Sequence, residues 1–284
     1  MRRLCIYILF LLLPLALSAQ EQPSCIPVRN LSQDSLAFRA GERLEFVMHY
    51  KWGAINSDIG TAYVQLDSMK MNGGPAYRCH VYGKTSRFYD LFFKVREDFY
   101  SWFSADGLEP IRFSRNTLEG KYVARNTYIY MWNAAEPYID AEVYSSHSGQ
   151  KHLDLPLNRC TYDLPALFFM ARNMDMSAVE PGVKYPMTFA IDDDIYNVYF
   201  ILYGPETITV KGLGRINVIK FGARLIAGGV FSGDEDMTIY ISYDENRLPV
   251  YFEAPILVGV ASGRMVKCSG LKYPFSSRVE KNKK

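Results

Sequence analysis

Hydrophobic and polar residues alternate with a period of two along most of this chain. Between residues 45 and 52, Phe46, Met48, Tyr50 and Trp52 share one face while Glu45, Val47, His49 and Lys51 share the other, as in a strand buried on one side. Residues 60–67 repeat the pattern, with Ala62, Val64 and Leu66 opposed to Thr61, Tyr63, Gln65 and Asp67; the segment 53–58 reads as the hairpin loop between the two strands. Met71-Asn72-Gly73-Gly74-Pro75 marks the next turn. Further strands are expected at 77–82, 99–103, 111–117, 122–132, 138–145, 185–191, 197–203, 207–211, 216–224, 237–243, 249–254 and 263–273. Strand after strand joined by short turns is an antiparallel meander, and closing or strongly curving such a sheet protects its edges. The 21 Tyr and 17 Phe fit this mainly β, barrel-like reading, because aromatic side chains favour pleated, half-buried surfaces.

One segment departs from the alternation. Asp163 offers N-cap chemistry, Pro165 sits in the first turn where its missing N–H costs nothing, and residues 164–174 run LPALFFMARNM. Apolar residues occupy every side of that helical wheel, which predicts a helix buried all round, a plug inside the curved sheet. Weaker helical spacing occurs at 84–95, through Phe88, Leu91 and Phe92, and at 30–38.

The amino terminus supplies an expected address. Arg2 and Arg3 precede an apolar run from Leu4 to Leu13, and Ala16-Leu17-Ser18-Ala19 precedes polar residues, the layout of a secretory signal peptide cleaved after Ala19. The run is shorter than the roughly 20 residues that span a bilayer. Cys5 lies inside the signal and Cys25 follows Gln22-Pro23-Ser24, which is no lipobox, so the expected product is exported, periplasmic and without a transmembrane anchor. The expected organisation is a signal peptide at 1–19, an extension at 20–37, a single β-rich domain at 38–275 and a basic tail at 276–284. Without Arg2 and Arg3 the Lys and Arg count falls from 32 to 30, equal to the 30 Asp and Glu. That balance argues against a nucleic-acid partner and against binding driven mainly by anionic headgroups. Cys25, Cys79, Cys160 and Cys268 allow three complete pairings, or Cys79 and Cys268 are buried thiols; none belongs to a Cys-x-x-Cys pair of a redox or zinc site.

Four motifs carry a resemblance. They are Phe38-Arg39-Ala40-Gly41-Glu42-Arg43-Leu44 followed by Gly60, Val95-Arg96-Glu97-Asp98-Phe99-Tyr100-Ser101, Tyr162-Asp163-Leu164-Pro165-Ala166-Leu167 ending in Arg172, and Tyr243-Asp244-Glu245-Asn246-Arg247-Leu248-Pro249-Val250. In order and spacing the chain resembles the exported bacterial proteins catalogued as domain of unknown function 3108, from about Phe38 to Phe275. The resemblance implies a β-barrel-like envelope protein with a helix inside, of the broad kind shared with some periplasmic lipoprotein and lipid carriers. It implies no activity and carries over no catalytic residue. The motif residues Gly41, Glu42, Gly60, Arg96, Asp98, Asp163, Arg172, Arg247 and Pro249 are read as structural; charges beside apolar runs survive burial when paired, which favours hydrogen-bonded closures over the mouth of a cavity. Ala62, aligned with Val64 and Leu66, is the candidate cavity position.

No catalytic, cofactor or metal site is expected. Gly-x-Ser-x-Gly, Walker and His-Glu-x-x-His motifs do not occur. Gly212-Leu213-Gly214 reads as a turn between strands, Asp192-Asp193-Asp194 and Gly233-Asp234-Glu235-Asp236 as solvated hairpin tips, and His147 with His152 as loop residues lacking a clear third ligand. His49 and His80 fall on the charged faces of their strands. The leading expectation is a non-enzymatic carrier or binding protein for an apolar or amphiphilic envelope molecule such as a lipid. The alternatives are an assembly factor for another envelope protein and, last, a glycan- or cell-wall-acting enzyme.

Overall fold

The period-two segments pair in chain order. The computed structural model describes residues 25–224, 236–256 and 258–279. Eight strands come first: β1 (Arg43–Trp52), β2 (Ile55–Met71), β3 (Gly74–Thr85), β4 (Val95–Ser104), β5 (Pro110–Glu119), β6 (Tyr122–Met131), β7 (Tyr138–Ser145) and β8 (Gly149–Pro156). A two-residue β9 (Thr161–Tyr162) leads into α1 (Leu164–Ala171). Then follow β10 (Lys184–Ile191), β11 (Asp194–Val210), β12 (Gly214–Arg224), β13 (Asp236–Ser242), β14 (Pro249–Pro255) and β15 (Val260–Ser269). All belong to one curved sheet in the order β8 to β1, then β15 back to β9. Neighbours are antiparallel except β9 and β10. The sheet is not closed by hydrogen bonds, since β8 and β9 remain its edges.

A gap at those edges would expose unpaired backbone, and the β10–β11 turn covers it with side chains. Asp193 takes Lys151 of β8 at 2.5 Å. Asp192, with φ 53°, turns across the interior to Arg115 of β5 at 2.6 Å. These aspartates do form a hairpin tip, as the sequence suggested, and the side chains of Asp192 and Asp193, still 40% exposed, also tie that tip to β5 and β8.

Helix α1 is shorter than the apolar run. Asp163 caps it through the Ala166 N–H at 2.9 Å, and Arg172, the C-cap, turns its side chain into the core. Pro165, Ala166, Phe169 and Met170 are buried, but Leu164 is exposed, so the helix is not covered all round. Phe169 packs on Phe38 and Phe103 with ring centroids 4.6 and 5.6 Å away, and this cluster with Leu44, Leu66 and Cys79 forms the floor of the sheet's interior. A second cluster gathers Met187, Phe189, Phe200 and Phe221 under Ile26, and a third lies between β5–β8 and Ala190.

Three more readings change. Segments 84–95 and 30–38 hold only single 3-10 turns, Tyr89–Leu91 and Gln33–Ser35. β8 is absent from the expected strands because its inward row begins with Lys151, which leaves only Leu153 and Leu155 to carry the alternation against Gln150, His152 and Asp154. The two strands expected at 197–203 and 207–211 are one, with a register irregularity at Leu202/Gly204. Cys25 pairs with Cys160, with Cα atoms 5.2 Å apart, while Cys79 is a buried thiol and Cys268 a partly buried one. The signal segment and residues 233–235 lie outside the described residues. No helix among the described residues is long and apolar enough to cross a membrane.

Candidate functional site

The interior grades from dry to open along the strands. On the inward rows of β2, β3 and β4, Leu66, Cys79, Ser101 and Phe103 are fully buried beside α1, whereas Ala62, Val81, Glu97 and Phe99 nearer the other end are partly accessible. That accessible end is where β1 turns into β2, β3 into β4 and β5 into β6.

The floor is held by charge. Arg172 and Glu42, 2% and 1% exposed, form a bidentate pair at 2.5 and 2.9 Å. The remaining guanidinium hydrogens reach the carbonyl of Asn246 at 2.8 and 3.1 Å, and the group sits between the rings of Phe38, Phe168 and Phe169. Asn246 in turn holds the segment that follows β15: its Nδ2 donates to the carbonyls of Tyr273 and Pro274, and its Oδ1 accepts the Tyr273 N–H. Arg247, at φ 50°, donates to the carbonyl of Met174, and Pro249 opens β14 opposite Ile241. Gly41 takes φ 90° on entry to β1. Three motif segments thus meet around one guanidinium.

Asp163 anchors the other end of α1. Besides capping the helix it accepts Ser101 Oγ at 3.0 Å and Tyr130 OH at 3.3 Å, and among the described residues no cationic side chain bonds to it. Burial raises its carboxyl to about 7 against these hydrogen bonds, which pull it down. The folded protein therefore keeps a proton that the unfolded chain releases near the ordinary carboxylate value. Stability should decline as pH rises from about 4 to about 7 through this group and level off above, because the unfolded state then binds fewer protons. Asp163→Asn retains an N-cap acceptor and should remove that slope. Urea midpoints across this range that fall equally in both proteins would refute the assignment.

Above the floor the wall of β4–β6 is polar on its inward row. Glu97 Oε2 accepts Thr117 Oγ1 at 2.6 Å, Arg115 Nε donates to Thr117 at 2.8 Å, and Asp192 accepts both Arg115 and, at 3.2 Å, Asn126 Nδ2. Burial, reinforced by the neighbouring Glu119, raises the Glu97 carboxyl. Glu97 Oε1 and Asn126 Oδ1 are buried, and among the described residues neither has a hydrogen-bond partner. A proton on one of the two neighbouring glutamates would let it donate to the other, since ionised carboxylates only accept. Beside this wall, on the neighbouring strands β1 to β3, lie the apolar Met48, Ala62 and Val81, packed on the main core. The sequence reading missed the polar wall, although Arg115, Thr117 and Glu119 share one parity of β5 and signal it.

The other motif residues lie apart from both sites. Gly60 lies where a Cβ would come within 2.2 Å of the Lys84 carbonyl oxygen, so only glycine permits that approach of β2 to β3. Asp98 meets His80 at 2.7 Å on the outer face, and Arg96 pairs with Asp90 at 2.6 Å beneath the β3–β4 connection. His49 meets Asp58 at 2.9 Å, Gly212-Leu213-Gly214 spans the β11–β12 turn, and His147 lies beside Tyr122. His152 joins Asp140 and Asp154 on the outer face of β7–β8, where the three could offer ligand atoms within 4.8 Å of one another; a 2.7 Å bond to Asp140 already accounts for the imidazole.

Among solved structures, the chain is similar to a β-barrel-like protein of domain of unknown function DUF1849 from Brucella abortus. That likeness has a TM-score of 0.53 at 12% identity, over 82% of this chain and 98% of that one, and it shows the fold. No curated protein matches the chain. A family model described as protein of unknown function (DUF3108) matches residues 45–266, and with its motif residues built into one curved sheet around α1 the chain belongs to that family.

Proposed function

We propose that this is an exported, non-enzymatic cell-envelope protein that binds or carries an apolar or amphiphilic molecule in the accessible part of its interior. The observation that carries the reading is the division of that space: Met48, Ala62 and Val81 present an apolar wall, and Glu97, Arg115 and Glu119 a polar one. A few convergent polar groups beside an apolar surface are what an amphiphile's head and tail require. The signal-like amino terminus supports export to the periplasm. An enzyme acting on glycans would use two carboxyl groups roughly 5 Å or more apart flanking the scissile bond. Glu97 has Glu119 as its acidic neighbour, and that proximity raises the Glu97 carboxyl rather than setting up such a spaced pair.

A Cβ placed at Gly83 would lie 3.8 Å from that of Ala62 and 3.7 Å from that of Glu97, so these three positions adjoin across β2, β3 and β4. A phenyl ring at position 62 would reach over Gly83 toward Glu97, across the boundary between the apolar and polar rows. Ala62→Phe should weaken saturable binding of a fluorescent fatty acid about tenfold, with little change in thermal stability, since filling a void costs less than the ~1–3 kcal/mol of overpacking a filled core. Native mass spectrometry of the purified protein before and after lipid extraction should show a bound mass that disappears. Absence of saturable binding in the wild type, together with a strongly destabilised Ala62→Phe, would overturn the carrier reading in favour of an assembly factor.

A further inference from the structure

The β3–β4 connection turns its apolar side chains outward. Phe88, Leu91, Phe92 and Phe93 are 62, 79, 73 and 53% exposed, a concentration that a solvated loop does not sustain without a partner. Helical spacing over this stretch implies a face packed on the core; the single 3-10 turn points that face away from it.

The loop is nevertheless held firmly from below. Asp90 accepts Thr85 Oγ1 at 2.5 Å and both terminal nitrogens of Arg96 at 2.9 and 2.6 Å, while the Val95 N–H donates to Thr85 Oγ1 at 2.9 Å. Backbone bonds from Asp90 to Ser86 and from Phe93 to Tyr89 close the turn. The Phe93 ring lies so close to Gly120, in the β5–β6 turn, that a Cβ there would come within 2.7 Å of it. Polar groups thus form the base, and the apolar groups form the tip.

The exposed charges of the loop itself are basic. Lys84, Arg87 and Lys94 are exposed and make no ion pair among the described residues, and the one acid of the loop, Asp90, is taken by Arg96. At the same end of the sheet the β1–β2 hairpin exposes Trp52 and Ile55, and the β14–β15 turn exposes Val258, whose carbonyl is bound by Tyr50 OH at 2.7 Å.

We propose that the β3–β4 loop is a membrane-docking tip that inserts Phe88, Leu91 and Phe92 into the interfacial zone of an anionic bilayer, with Arg87 and Lys94 at the headgroup phosphates. A narrow tip with apolar groups on several sides suits a bilayer, which needs no complementary shape, better than the flat or grooved surface of a protein partner. Aromatic rings favour the interfacial zone, and flanking basic side chains reach its phosphates. The balanced charge of the chain without Arg2 and Arg3 is compatible with this, because insertion supplies the attachment and the local cations set the lipid preference. The proposal goes beyond the carrier reading and stands without it.

Co-sedimentation tests it with the full exported chain and two vesicles: phosphatidylethanolamine containing a quarter phosphatidylglycerol, and phosphatidylcholine alone. The wild type should bind the anionic vesicles, and Leu91→Asp combined with Phe92→Asp should weaken partitioning about tenfold or more while leaving the thermal midpoint unchanged, as both side chains are exposed. Arg87→Glu with Lys94→Glu should abolish the preference for anionic vesicles. Wild-type protein that binds neither vesicle, or an aspartate variant that partitions like wild type, would overturn the proposal. So would size-exclusion chromatography in which the wild type is a dimer that the aspartate variant breaks without any vesicle binding, since the loop would then dock on a second copy. Ala62→Phe should leave vesicle binding intact, which separates failure here from failure of the carrier reading.

Discussion

Arg172→Met should destabilise the protein by about 3–5 kcal/mol, because it strands the carboxylate of Glu42 in the floor of the sheet. The pair is bidentate and both residues are almost wholly buried, so no solvent screening softens the loss. Replacing both residues, Glu42→Met with Arg172→Met, should recover part of the stability, since apolar side chains of similar volume need no partner. Recovery stops short of complete because the carbonyl of Asn246 loses its guanidinium donors. Urea denaturation of the two single variants and the double variant measures the coupling. A single-variant loss below about 1 kcal/mol, typical of exposed pairs, or a double variant no better than Arg172→Met, would show that the pair does not act as a unit.

Phe169→Ala should cost about 3–5 kcal/mol by opening a cavity among Phe38, Phe103 and Phe168. Tyr63→Ala is the control. Tyr63 lies on the outer face of β2 with the Arg43 guanidinium 4.0 Å above its ring, and its removal should cost well under half as much. Equal, small losses at both positions would mean that α1 does not hold the sheet.

The meander and its helix were legible because both express the strongest local signals: alternation over whole strands, and an apolar run opened by Asp163 and Pro165. What was not legible depends on partners distant in sequence. Arg115, Thr117 and Asn126 occupy inward positions that alternation reserves for apolar residues, and Glu97 and Asp192 accept hydrogen bonds from their side chains. Local sequence cannot announce that Asp192 crosses the interior from the β10–β11 turn. Phe88, Leu91 and Phe92 misled for the opposite reason: spacing at helical intervals predicts a buried face only if something in the chain covers it, and here nothing among the described residues does. Of the motif charges, Glu42 and Arg172 meet each other, whereas Arg96 and Asp98 find Asp90 and His80, pairings that no one-dimensional spacing distinguishes.

The strand order also sets a timetable. β1 is the first strand of the sheet to be synthesised and β15 the last, yet they are neighbours, paired from Arg43 opposite Ser269 to Lys51 opposite Val260 with one register shift at Glu45/Phe46. β1 can pair with β2 as soon as that hairpin exists, but its other edge has no partner until nearly the entire chain has been made. Joining such distant segments is slow, and an edge left open meanwhile is a template for mispairing with another chain. Every chain therefore passes through a long interval in which one side of β1 is exposed, and a chain ending before Val260 would keep that edge open for good.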